Sequence, residues 1–537
     1  MVGKELLCLI CLSTLLGTAV KGGGATMKCL TVPHRPVVMV GGDYPKLDVE
    51  PDTSGEVSGQ IFRLDDRTHG PIDSAWPRQV VGELAIAAVS ANQHNLLTPQ
   101  GSPPGPGRYE FVVTLSSGGR TIYRCEVPFV VIESLEAATT VMIGPDNVLY
   151  RNGQPWLPLI VMANSAEGEG GSQAGTDIDF GEFDFVIDHL EGTPFGLMDY
   201  STPIGGYADT LEMADRCLAR GIPWGLDVGK VYPWAFGSYL DKYYPGESWT
   251  EVARGLVRRL WNHPALTFYY TNDEKDFDYN AELEQMRHLL LNEDPFHPTL
   301  HVYYVKQDVI VEQSNTYDML GPEFYAYQDR QVAGNFEYMV IRGAQMPETA
   351  PFWGCLYLQD QRIRTFSYGC IAHGARGLIY YAFHRMRESN EFRDRPEAFE
   401  TRWRQIVEMG REIESRAPVL LQPLAKNQCT TSADDVALRT VSGPQGMYLL
   451  IVNAEEGRTR DITVNVPPEI IAAYDESEEK LDLESKRLRF RLKPYDVYLI
   501  RLETVPPLRS ADLNNDGVVN FLDFAGFIDG WPEPAPQ

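Results

Sequence analysis

The sequence predicts a multidomain α/β protein: a (β/α)8 barrel with a β-sandwich on either side and a short calcium-loop tail. Three features predict it. Between about residues 140 and 417, eight apolar runs of strand length alternate with helix-period segments. On both sides, over 30–135 and 418–503, short β-type runs are separated by turn residues. A chain of 537 residues has room for three or four domains at roughly 150 residues each.

The chain opens with a charged start, Met1 to Glu5, and an apolar run from Leu6 to Val20 that exits through Lys21-Gly22-Gly23-Gly24-Ala25. Residues 1–25 therefore read as a secretory signal, and the protein is expected to be secreted, periplasmic or at a bacterial cell surface, with no membrane span once the signal is removed. Cys8 and Cys11 lie inside the apolar run. The other six cysteines (Cys29, Cys125, Cys217, Cys355, Cys370 and Cys429) show no zinc-type spacing. Cys29 and Cys125 bracket the first sandwich, as a disulfide or as two buried thiols. That domain, 30–135, carries the runs Val37–Val40, Glu83–Ala87, Tyr109–Val113 and Phe129–Ile132 around a Gly/Pro cluster at 101–107, which fits an immunoglobulin-like sandwich.

The eight barrel strands are expected at Leu159–Met162, Phe195–Met198, Trp224–Val228, Leu266–Tyr270, His301–Tyr304, Met319–Gly321, Trp353–Leu356 and Leu378–Tyr381. Helical spacing covers Asp209–Arg220, Trp249–Trp261, Ala281–Leu291 and Phe336–Gly343, and a long helix, Glu397–Arg416, closes the region. The acidic, Gly-rich run Glu167–Gly171 reads as a loop after the first strand. Residues 418–503, with Met447–Asn453 and Val497–Leu502, give the second sandwich.

In the tail, 510–537, a twelve-residue run places oxygen side chains at positions 1, 3, 5, 9 and 12: Asp512, Asn514, Asp516, Asn520 and Asp523. Gly517 at position 6 permits the sharp turn, and Val518 would add its backbone carbonyl. Calcium, which needs six to eight oxygen ligands, is the expected occupant, in a structural role. This run resembles one repeat of a type I dockerin, which carries two. The resemblance implies a cohesin-like or cell-surface partner for the tail.

A formal charge of −27 argues against nucleic acid and anionic membrane surfaces as partners. No G-x-S-x-G elbow, H-E-x-x-H helix or phosphate-binding GK[ST] loop is present. No catalytic cofactor is called for. In a barrel of this class the chemistry sits at the carboxyl ends of the strands. There the fourth strand carries the sharpest signal: His263-Pro264-Ala265-Leu266, an aromatic run, then Asn272-Asp273-Glu274. Acids placed where a buried strand runs out are costly unless they are used, either as helix caps and ion-pair partners or in chemistry.

That segment resembles the acid/base strand of clan A glycoside hydrolases, especially β-galactosidase-like and β-agarase-like secreted enzymes. Further matches are Ala372–Tyr381 at strand eight, Tyr317–Gly321 at strand six and the Asn152–Trp156 hairpin. The resemblance implies a carbohydrate substrate and Glu274 as general acid/base, with Asn272 or Asp273 in substrate contact. It also implies a nucleophilic Glu at the end of strand seven, where this chain has Trp353–Asp360 and no Glu. Glu323, after strand six, is the favoured substitute and Asp360 the second. The third reading is a barrel that binds glycans without cleaving them. Retention needs two carboxyls about 5–5.5 Å apart, inversion about 6.5–9.5 Å. Tyr200, Trp234, Tyr325 and Tyr381, with His384 and Gln359, supply ring faces and hydrogen bonds suited to a pyranose.

Overall fold

A computed structural model describes residues 27–32, 37–39, 44–65, 78–93, 95–133, 141–144, 146–165, 178–203, 205–234, 242–274, 277–303, 316–323, 353–433, 436–453 and 459–504. The predicted signal, the 167–171 loop, the helix expected at 336–343, Tyr325 and the calcium run lie outside these residues. Two compact units result, Met1–Leu421 and Gln422–Gln537.

In the first unit, strands Met27–Val32, Lys46–Pro51 and Asn95–Leu97 form one sheet. Val37–Met39, Gly55–Asp65, Gln79–Val89, Gly107–Ser117 and Arg120–Ile132 form a second. The alternating apolar residues of both sheets meet in one core, in which Phe111 and Phe129 stack at 4.7 Å. Cys29 and Cys125 both pack against this core with no disulfide between them, the second of the two expectations, and each is a small apolar filler. Arg108, almost fully buried, donates from Nη1 to the Asn292 carbonyl (3.2 Å), tying the sandwich to the barrel.

The barrel strands are β1 (Leu159–Ala163), β2 (Phe195–Asp199), β3 (Trp224–Asp227), β4 (Leu266–Asp273), β5 (Thr299–Tyr303), β6 (Met319–Pro322), β7 (Trp353–Tyr357) and β8 (Gly377–Tyr381). All eight pair in parallel, in sequence order, with β8 returning to β1. A bridge between Glu323 and Cys355 brings β6 to β7 and nearly closes the ring. The near-continuous apolar runs follow from burial on both faces, by the barrel interior and by the helices. Ile160, Met198, Phe268, Leu300, Met319, Trp353 and Ile379 fill the interior, with Phe268 edge-on to Trp353 at 5.4 Å. Gly225 is required there, because a Cβ would stand 2.2 Å from the Phe268 ring.

Below the barrel, strands Val141–Ile143, Leu149–Arg151 and Gln154–Trp156 form a small sheet. Its tight turn uses Asn152 (φ 51°) and Gly153 (φ 74°), both in the left-handed region that an Asn-Gly pair tolerates. Val141, Ile143 and Leu149 join the interior core and cover the amino-terminal end of the barrel.

Helices α1 (Phe180–Leu190), α2 (Gly206–Ala219), α3 (Trp249–Leu260), α4 (Asn280–Glu293), α5 (Ile363–Ala372), α6 (Phe383–Glu388) and α7 (Pro396–Leu420) lie between and after the strands. α3 shows why these segments are helical. Ser248 and Glu251 form a capping box, and Val252, Ala253, Leu256, Val257 and Leu260 recur at helical spacing on the buried face. From α4, Arg287 donates Nε and Nη2 to Asp318 Oδ1 (3.1 and 2.8 Å), while the Thr299 N–H and hydroxyl bond Oδ2. This wholly buried carboxylate fixes the entry into β6.

The second unit contains two four-stranded antiparallel sheets over residues 430–504, closed on a core that includes Leu449, Ile451, Val464, Leu488 and Ile500. No helix among the described residues is long and apolar enough to cross a membrane.

Candidate active site

Strand alternation decides what faces the barrel mouth. On β6, Met319 lies in the interior core, and a Cβ on Gly321 would meet Val302 and Ile379 there. Glu323 continues this inward series and is 5% exposed, held by its N–H to the Tyr303 carbonyl (3.0 Å). On β7 the inward series Trp353, Cys355, Tyr357 ends at Gln359, whose Oε1 is buried without a hydrogen-bond partner among the described residues. On β3, Asp227 follows inward Gly225 and is completely buried.

On β4 the alternation is broken. The pairing with β5 shifts register between Tyr270 and Asn272, so Thr271 is an extra residue. Phe268 and Tyr270 face inward. After the shift Asn272 turns outward and hydrogen-bonds Tyr303, which sits beside His301 and Tyr317 behind the strand. Asp273 turns inward, and its Oδ1 accepts from the Tyr270 hydroxyl at 2.9 Å. Glu274 follows with a left-handed backbone (φ 56°), its N–H on the Val302 carbonyl, and is exposed on the rim. The strand-four carboxylate within the mouth is therefore Asp273, and Glu274 stands one residue beyond it.

Rings connect the wall. Tyr200 meets Tyr270 at 6.0 Å and Tyr381 at 6.4 Å, both edge-on; Tyr381 meets Tyr357 at 6.2 Å and His384 at 6.3 Å. Burial and the neighbouring Asp273 push the Tyr200 and Tyr270 hydroxyls well up, so both are neutral donors. Lys230 stands over the Tyr200 ring at 5.4 Å. Trp234, half-buried in the turn after β3, stacks on Tyr232 at 4.2 Å and leans on Tyr279 at 4.5 Å.

Asp360 is placed elsewhere. Both its oxygens are taken by Arg362, through the backbone N–H (2.8 Å), Nε (3.0 Å) and Nη2 (2.9 Å), where the chain enters α5. A carboxylate paired this way with a cation is held in the turn ahead of α5, which argues against the role of substitute nucleophile. The structure thus brings Tyr200, Asp273, Glu323, Gln359, Tyr381 and His384 to the mouth, sends Asn272 behind it and leaves Glu274 on its edge. Sequence reasoning missed Asp227, Tyr270, Lys230 and Tyr357. A carboxylate within the apolar run Trp224-Gly225-Leu226-Asp227-Val228 was the signal available for Asp227.

Burial holds two histidines neutral, His301 down to about 3 and His384 down to about 4, Arg385 and Arg387 adding to the latter. In the unfolded chain both bind protons near 6.5. Between pH 6.5 and 4 the unfolded state therefore binds more protons, and stability falls as pH falls. Thermal unfolding at pH 7.5 and 5 is expected to show a lower Tm at pH 5, and His384→Gln is expected to reduce the difference.

No protein-family description and no curated protein matches the chain. Solved structures with related chain courses include a glycosyl hydrolase family 2 member from Bacteroides cellulosilyticus (TM-score 0.36, 13% identity, 88% of this chain and 60% of that one). Others are a putative β-galactosidase from Bacteroides fragilis (0.35, 11%, 91% and 72%) and a Bifidobacterium dentium β-glucuronidase complexed with coumarin-3-O-glucuronide (0.35, 15%, 71% and 67%). These structural neighbours are glycoside hydrolases, and this chain spans 60% of the first.

Proposed function

We propose that this protein is an exported glycoside hydrolase acting on an extracellular poly- or oligosaccharide at the barrel mouth. The observation that carries the reading is a pair of inward carboxyls, Asp273 at the end of β4 and Glu323 just after β6, within a wall of tyrosines. Glycosidic hydrolysis needs one carboxyl to protonate the leaving oxygen and a second to stabilise or attack the anomeric carbon. Asp273 takes the acid/base role and Glu323 the second. Asp273, whose Oδ1 already accepts from Tyr270, keeps Oδ2 for the substrate. Ring faces at Tyr200, Tyr357 and Tyr381 stack on the sugar, and Glu274 contributes a rim charge.

Release of reducing sugar from a polysaccharide panel, together with cleavage of p-nitrophenyl β-glycosides, tests the reading. Glu323→Gln is expected to lower kcat by about 100-fold or more, and Glu274→Gln to leave it within about threefold. Undiminished activity in Glu323→Gln would remove Glu323 from the chemistry. One observation favours a second reading, carbohydrate binding without cleavage: Gln359, an amide that bonds hydroxyls but cannot attack, holds the inward position at the end of β7. Binding on a glycan array with no cleavage of any glycoside would establish it.

The reading extends to the tail as a calcium-loaded structural loop through Asp512, Asn514, Asp516, Val518, Asn520 and Asp523, available to a cohesin-like or cell-surface partner. Tb3+ luminescence sensitised by nearby aromatic residues is expected to saturate at one ion per chain and to vanish in Asp512→Ala. Chelation is expected to leave the main thermal transition unmoved.

A further inference from the structure

One strand of the second unit, Arg487–Leu492, carries a charge pattern opposite to that of the chain as a whole. In a sequence with 74 acidic and 47 basic residues, the run Lys486-Arg487-Leu488-Arg489-Phe490-Arg491-Leu492-Lys493 holds five cations and no acid. Strand alternation sorts them. Leu488 and Leu492 are buried in the sandwich core and Phe490 packs against it, so Arg487, Arg489 and Arg491 share the opposite face, all three exposed. Successive guanidinium stems therefore leave the sheet about 6.8 Å apart, two residues of strand. Lys486 turns away, its Nζ donating to the Ile470 carbonyl.

The pairing sets what lies beside them. On the strand Arg460–Asn465, the partners of Arg487, Arg489 and Arg491 are Asn465, Thr463 and Asp461, all exposed. On the other side Glu484 pairs with Arg487. Its Oε2 stands 3.5 Å from Arg489 Nη2, with both side chains mostly in water, a contact that contributes little. Arg487 and Arg491 make no ion pair among the described residues. Arg501, in the same unit, is by contrast held by Glu478 and lies over the Tyr474 ring at 4.3 Å. Three like charges on one face repel one another, and an arriving anion removes that repulsion. The face also holds no aromatic ring among the described residues, so a neutral sugar has no platform to stack on and recognition falls to charge and hydrogen bonds.

We propose that this outer face of the C-terminal sandwich binds an anionic polysaccharide, a chain whose rings carry carboxylate or sulfate groups, laid along Arg487, Arg489 and Arg491. A planar guanidinium offers paired N–H donors to either anion, while Thr463 and Asn465 suit the ring hydroxyls between them. Charge complementarity selects this occupant over a nucleic acid. Duplex DNA presents one charge per about 1.7 Å and meets the full repulsion of a chain carrying −27. A polysaccharide with at most one charge on most rings is repelled less, and it can set single anions on single guanidiniums. The face belongs to the second unit and the barrel mouth to the first. The inference therefore goes beyond the hydrolase reading and does not require that the barrel cleave anything.

Titration calorimetry on the full chain tests it, at low salt and with a chelator present so that calcium cannot bridge tail and polymer. The probes are polygalacturonate, dextran sulfate and, as the neutral control, dextran. Binding is expected to at least one of the two charged chains, the stronger of them showing whether carboxylate or sulfate is preferred, and not to dextran. The triple variant Arg487→Thr/Arg489→Thr/Arg491→Thr, which keeps a good strand former at each exposed position, is expected to raise Kd at least about tenfold. Raising the salt to 0.5 M is expected to weaken the parent by a similar factor, about tenfold. An equal loss of charge elsewhere, Arg120→Thr/Arg404→Thr/Arg411→Thr, should leave Kd within about twofold, since the attraction is local. No binding by the parent overturns the proposal, as does a triple variant that binds like the parent or dextran bound as tightly as the charged chains. Tighter binding of single-stranded oligo-dT or of polyglutamate than of either charged polysaccharide also overturns it, in favour of a nucleic acid or an acidic peptide. Because no step in this measurement is cleavage, its outcome is separate from that of the hydrolase reading.

Discussion

Asp273→Asn is expected to reduce kcat on the cleaved glycoside by about 100-fold or more, with KM changing far less. Asparagine preserves the acceptor for the Tyr270 hydroxyl and the volume of the side chain, so the wall of the mouth stays in place. What it removes is a carboxyl that can give and take a proton. The comparison with Glu274→Gln makes the expectation sharp, because the two residues are neighbours with opposite surroundings: one half-buried beside three tyrosines, the other exposed on a left-handed turn. Full activity in Asp273→Asn combined with a large loss in Glu274→Gln would return the acid/base role to Glu274.

The largest stability effect is expected from Arg287→Leu. Asp318 has no exposed surface, and two of its bonds come from that guanidinium. Removing one partner of a buried ion pair costs about 3–5 kcal/mol, chiefly because the remaining charge is stranded. Chemical denaturation read by fluorescence should report this loss in the main transition. The double variant Arg287→Leu/Asp318→Leu is expected to recover part of it, since no charge is then left uncompensated. Because Asp318 leads into β6, the single variant should also loosen Glu323 and lower kcat. A single variant as stable as the parent would show that the pair is dispensable.

The course of the barrel was legible in the sequence because a strand buried on both faces must be apolar throughout, and all eight such runs stand out. The start of α3 was legible for an equally local reason, the Ser248 and Glu251 cap. The aim of the β4 side chains was not. One extra residue at Thr271 exchanges inside for outside, and nothing in Tyr-Tyr-Thr-Asn-Asp-Glu marks which residue leaves the ladder. Asn272 and Asp273 trade faces as a result. Asp360 could have been read more closely: an acid two residues before an arginine, just ahead of a helix, can accept both the Arg362 backbone N–H and its guanidinium. Asp227 was hidden by its own surroundings, which read simply as strand.

The small Asn-Gly hairpin sheet beneath the barrel makes the barrel depend on residues outside its eight strands. With Val141, Ile143 and Leu149 in the same core, trimming any of them to alanine leaves a void that the strands cannot fill from their own side chains.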